Sequence, residues 1–170
     1  MVEQMDEAEF ITAISKAPED EATKISREWM EKFFKMPDDQ VIKGFVKIVK
    51  AVDLLTEEKQ EKIAKIVAKT WYESKFPRDT REFELFRRAV SSLPGDTGKL
   101  YIDMIPIHLI EEVIETKTRV KENFNLLANL VTTPEIRAII HQVAYEEEEH
   151  LNHIKTLLQG LKIGKDLRRM

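Results

Sequence analysis

The sequence predicts an all-α protein: a helical bundle in which about five shorter N-terminal helices precede a long, antiparallel C-terminal helical hairpin. Three observations predict it. Apolar residues recur at three- and four-residue steps from end to end, the spacing that lines one face of a helix. No segment alternates apolar and polar residues between hairpin-turn signals, as a half-buried strand would. Proline, glycine and hydroxyl or acidic capping residues divide the chain at helix-length intervals.

The elements follow in order. A short first helix carries Phe10, Ile11 and Ile14 and stops before Pro18, which opens the second because its missing N–H would be unpaired there anyway. The second helix shows Ile25, Trp29, Phe33 and Met36 on one side and ends at Pro37. Asp38 or Asp39 can accept backbone N–H bonds to start the third, whose stripe is Val41, Phe45, Ile48, Val52 and Leu55. Thr56, followed by Glu57 and Glu58, caps a fourth helix bearing Ile63, Ile66, Val67 and Trp71, and Phe76-Pro77 breaks it. A fifth helix from about Asp79 turns Phe83, Phe86, Val90 and Leu93 inward and ends at PGDTG, residues 94–98, the strongest punctuation in the chain.

Helices six and seven are longer. Helix six runs from about Lys99 to Val131 with a stripe of Ile110, Val113, Val120, Phe124, Leu127 and Val131, and Pro106 is expected to kink or restart it. Thr132-Thr133-Pro134-Glu135 stops one helix and starts the next: a hydroxyl cap, proline in the first turn, then a carboxylate at the positive end of the helix dipole. Helix seven then runs to Gly160, expected in a left-handed C-terminal position. So short a turn makes the two helices antiparallel neighbours. The expected organisation is a short-helix region at 1–95, the hairpin at 96–160 and a basic tail at 161–170, packed as one compact domain.

Composition removes several function classes. Across 170 residues the net charge is −4 with 34% charged residues of both signs, so there is no excess positive field to hold a nucleic-acid backbone. With no cysteine, disulfides, thiolate metal sites and cysteine nucleophiles are excluded, and any metal needs oxygen and imidazole ligands. No stretch approaches the roughly 20 apolar residues of a membrane span, and no leader pattern opens the chain, so the expected location is the cytoplasm. Phosphate-binding glycine loops, GxSxG and HExxH are absent.

One stretch carries chemistry. In VAYEEEEHLNHIKTLLQG, residues 143–160, Glu147 and His150 fall near the stripe formed by Ile136, Ile139, Val143, Ile154, Leu157 and Leu161. Val143 and Leu157 lie within about 20° of His150, with Glu146 about 40° and Glu147 about 60° away. Two carboxylates and an imidazole would thus be held among carbon. Glu147-x-x-His150, at a three-residue step, puts both side chains on one helical face.

The segment TTPEIRAIIHQVAYEEEEHLNHIKTLL resembles the second helix of a ferritin-like or rubrerythrin-like half bundle, with its proline-acid start and its Glu146, Glu147, Glu149 and His150; the likeness covers about residues 100–160. The resemblance implies a non-haem iron or manganese protein of oxidoreductase or metal-handling type. In it Glu147 and His150 would be terminal ligands, Glu146 or Glu112 would add oxygen, and His153 would be a further ligand. The family pattern calls for a second Glu-x-x-His, and residues 1–107 contain no histidine, so a complete site would need a second chain. A homodimer or higher homo-oligomer is the expected partner state.

The other departure is local. Counting from a turn centred near Thr132, the position opposite Glu147 is Lys117, an ammonium where the family holds a carboxylate. The alternative reading is therefore a metal-free helical scaffold or interaction module in which Lys117 replaces the metal charge and pairs with Glu147 or Glu146. His141 lies opposite the stripe and is expected in solvent, as is the face of Lys59, Lys62, Lys65 and Lys69.

Overall fold

The computed structural model describes residues 5–74 and 80–167. Among them are seven α-helices and no strand: α1 (Glu7–Lys16), α2 (Glu19–Phe33), α3 (Asp38–Asp53), α4 (Glu57–Glu73), α5 (Thr80–Ser91), α6 (Lys99–Leu130) and α7 (Pro134–Leu167). The protein is all-α. The expected break at Phe76-Pro77 and start at Asp79 lie outside the described residues.

Local chemistry accounts for most of the helix starts. Asp6 caps α1 in a reciprocal box: its carboxylate accepts the Glu9 N–H at 2.8 Å while the Glu9 carboxylate accepts the Asp6 N–H at 3.0 Å. Proline rather than a side-chain acceptor precedes α2 and α3, at Pro18 and Pro37. Asp38 and Asp39, expected as caps, instead sit in the first turn of α3, where carboxylates complement the helix dipole. Thr56 holds the cap position of α4 without a side-chain bond to the backbone, leaving Glu57 and Glu58 to favour that end. Pro106 lies within α6, which continues through it as one helix. α7 likewise passes through Gly160, so the expected left-handed stop is absent there; Gly95 and Gly98 alone among the described residues have positive φ, at 55° and 67°. No proline or polar cap follows Gly160 to compete with the helix, and Leu161 after it is half-buried.

The chain divides into two compact units, Met1–Leu109 and Ile110–Met170. The division falls inside α6, not at the 94–98 loop, because Tyr101, Met104 and Ile105 at the start of α6 belong to the first unit's hydrophobic core. In that unit α1 packs on α2, α3 and α4, while α3 also meets α4 and α5. Its centre is a run of aromatic contacts. Phe10 stacks on Trp29 at 4.1 Å and Trp29 on Phe33 at 4.5 Å; Phe33 meets Phe45 edge-on at 5.1 Å, and Phe45 and Trp71 both meet Phe86. The stripes expected on α1 to α4 are the ones buried. On α5 the inward side is rotated: Leu85 and Ala89 are buried, whereas Phe83 is 39% exposed and touches Trp71 from the edge.

Candidate functional site

The second unit contains the rest of α6 and all of α7, and its burial pattern has a period. On α7 the buried or half-buried positions Ile140, Ala144, Glu147, Leu151, Ile154, Leu158 and Leu161 follow one another at steps of four and three. On α6 the same steps connect Ile110, Ile114, Lys117, Lys121, Phe124, Ala128 and, just past its end, Val131. A 3.5-residue repeat of this kind is the seam of paired helices. Ion pairs tie the two seams together: Lys117 Nζ lies 2.7 Å from Glu147 Oε2, Lys121 Nζ 3.4 Å from Glu148 and Lys162 Nζ 2.7 Å from Glu111. Glu111 precedes Lys117 while its partner follows Glu147, so over the paired residues the helices run in opposite directions, as the link at 131–133 requires.

The hairpin therefore has two different edges. Glu111 and Lys162, which pair, each follow a seam residue by one, so those positions on both helices share one edge, and it is charged. Positions that precede a seam residue by one share the other edge. There α6 presents Val113, Val120 and Leu127, and α7 presents Val143, His150 and Leu157.

This geometry corrects the expected stripe. Ile136, Ile139 and Leu157, read as inward, are 49%, 64% and 56% exposed, as are Val120 and Leu127 in part. The buried line of α7 is centred near Glu147 and Leu151, about 80° round the helix from His150. His150 and Glu146 are exposed rather than held among carbon. The reason lies in small and charged seam residues. Ala128 and Ala144 are buried small residues, and Lys117 and Lys121 hold seam positions with their methylene stems. A reading weighted by bulky apolar side chains passes over all four.

Of the expected site residues, the fold brings Glu147 and Lys117 together. Their side chains are 22% and 30% exposed, half-buried at mid-seam. Glu146 accepts a bond from Gln142 Nε2 at 3.0 Å along its own helix, and Glu149 accepts one from Tyr145 at 3.3 Å. His150 and His153 are exposed on α7, as is His141, the last as expected. Glu112 lies five residues from Lys117 on α6, about 140° from the seam. Among the described residues no three histidine, aspartate or glutamate side chains converge as a metal-holding group. The donor set does not fit a carboxylate-bridged centre within one chain, since the Lys117 ammonium holds Glu147, one of the carboxylates expected as a terminal ligand.

The first unit offers polar structure rather than chemistry. Lys62, expected in solvent, donates to the Ser15 and Ala17 carbonyls at 3.0 and 2.7 Å and so closes the end of α1. Lys65 pairs with Glu19 at 2.9 Å, and this bond, with Lys69 nearby, holds the Glu19 carboxyl below the ordinary value of 4.5. Arg81 ties α5 to the α2–α3 connection through the Phe34 and Met36 carbonyls and Asp38. A groove of about 360 Å³ beside Met5, Trp29 and Met36 has two carboxylates at its edge. Both are engaged, Asp6 in the cap of α1 and Glu7 with Lys47 at 3.3 Å. No helix among the described residues is long and apolar enough to cross a membrane. No family model, curated protein or solved structure matches the chain.

Proposed function

We propose that this protein is a metal-free helical scaffold or interaction module whose long helices are set in register by an ion pair in place of a bound ion. The observation that carries the reading is Lys117 Nζ at 2.7 Å from Glu147 Oε2, half-buried in the middle of the seam. A metal at that point would have to share the carboxylate with a fixed ammonium, and the Coulomb term between two cations so placed is unfavourable at any internal dielectric. A polar residue at a seam position is, by contrast, a known device for choosing one register of paired helices at some cost in stability. Sliding α6 by one turn so that Ile114 comes opposite Glu147 would separate Lys117 from Glu147 and leave both half-desolvated.

The test is elemental analysis of protein prepared without a histidine tag and loaded anaerobically with ferrous iron, then with manganese. The expected result is substoichiometric metal that does not change on His150→Ala. Stoichiometric iron, manganese or zinc that is lost on His150→Ala overturns the reading in favour of the iron or manganese protein that the ferritin-like resemblance implies.

A further inference from the structure

The edge of the hairpin opposite the Glu111–Lys162 pair is built to be covered. On α6 it consists of Val113, Thr116, Val120, Asn123, Leu127 and Leu130, without one charged residue, in a chain of which 34% is charged. On α7, Ile139, Val143 and Leu157 lie on the same edge, where Glu146 is the one carboxylate, with His150 and His153 the other polar positions between them. Leu130 is 79% exposed and Ile139 64%, so no described residue within the second unit shields them. A helix in a two-stranded pair needs only the narrow seam to be apolar. An apolar stripe widened to one flanking position is instead the signature of helices in a larger bundle. By this measure α6 and α7 are two helices of a bundle whose remaining members are missing.

The shape of the face indicates what supplies them. Its turn end carries bulky side chains, Leu127, Leu130 and Ile139; its open end carries Gly160 and Gly164. A Cβ added at either glycine would meet nothing within 4 Å, so the chain's own packing gives no reason for them. Each costs a helix interior about 1 kcal/mol relative to alanine. Small residues four apart on one helical face let another helix approach closely. We infer that the uncovered edge binds a second copy of this chain in an antiparallel, two-fold arrangement, the bulky turn end of each hairpin seated on the glycines of the other. Such an interface is self-complementary, as two-fold symmetry demands. The face is roughly 30–40 Å long by about 20 Å wide, or roughly 600–800 Å², against about 800 Å² per partner in a stable complex. The two-fold axis then passes near His150 and Val120, midway along the strips.

This inference names the partner of the module proposed above and rests on that reading. Sedimentation of the full chain is expected to show a dimer. Val120→Glu with Leu157→Glu should raise the dissociation constant at least about 100-fold while the helical ellipticity is retained. Gly160→Leu with Gly164→Leu provides the second arm: these variants should raise the melting temperature of the monomer, since both glycines are in open helix, and still abolish the dimer. His150→Leu, replacing the central imidazole with carbon, should tighten it. Orientation is read by single cysteines in this cysteine-free chain, joined with a short bis-maleimide. His150→Cys should cross-link to itself, Ile139→Cys should cross-link to Gly160→Cys in a mixture, and Leu130→Cys should not cross-link to itself. A wild-type chain that sediments as a monomer at every concentration reached, or self-linking at Leu130→Cys, overturns the inference and leaves the metal analysis untouched. Stoichiometric metal overturns the earlier reading and leaves the sedimentation result standing.

Discussion

Lys117 and Glu147 are each half-desolvated, so removing one strands the other. Lys117→Met is expected to destabilise the protein by about 1–3 kcal/mol in urea titration, less than a fully buried pair because water still reaches both groups. Glu147→Gln should cost a similar amount, and the double variant less than the sum, with a coupling of about 1 kcal/mol in a double-mutant cycle. Additive costs would mean that the pair does not set the register. Glu19 gives a pH-dependent counterpart. Its carboxyl is held below 4.5 first by the bond from Lys65, so its contribution is complete at neutral pH and is lost as acid takes the solution through 4.5 and past the depressed value. After solvent screening the contribution is at most about 1 kcal/mol. Glu19→Gln should therefore lower stability at pH 7 and become neutral at the acid end, which urea midpoints across pH 3–7 would reveal. The Lys117 partnership was legible in the sequence from counting outward from the turn. The exposure of His150 was not, because an imidazole has no hydropathy strong enough to show which side of a helix faces its neighbour.

At the scale of the element, two leucines six residues apart on α7 should behave differently. Leu151 is 3% exposed in the seam and Leu157 is 56% exposed on the apolar edge. Leu151→Ala is expected to cost about 2–4 kcal/mol of chain stability. Leu157→Ala should cost the monomer under about 0.5 kcal/mol, in keeping with a surface position. Equal losses would place Leu157 in the chain's own core. The contrast also marks how far sequence reasoning reached. Helices α1 to α4 bury their expected stripes because each has one apolar side and no second candidate. α5, α6 and α7 each have two competing stripes, and periodicity alone does not rank them. On α7 the expected stripe mixes two lines: Ile154 and Leu161 belong to the seam, whereas Ile136, Ile139 and Leu157 are exposed. The four-and-three spacing of the seam was present in the sequence and becomes visible once alanine and lysine are admitted as occupants. The ends of the long helices were less legible: a glycine with no competing cap, such as Gly160, does not stop a helix.

For the whole molecule, the two compact units are stabilised differently. Met1–Leu109 has a contiguous core of interlocked aromatic rings, whereas Ile110–Met170 buries a narrow line of aliphatic, alanine and charged residues and leaves large apolar side chains in water. Most of the exposed large apolar side chains belong to the second unit, where the proposed two-fold association would cover them. The distribution of aromatic rings gives the two units separate spectroscopic signals. Both indoles of the protein, Trp29 and Trp71, lie in the ring network of the first unit, and the second has none. Tryptophan emission is accordingly a private reporter of Met1–Leu109, silent about the hairpin, while far-ultraviolet ellipticity sums over both. Recording the two during one denaturant titration of Leu151→Ala assigns the lost cooperativity to its unit without a label or a truncation.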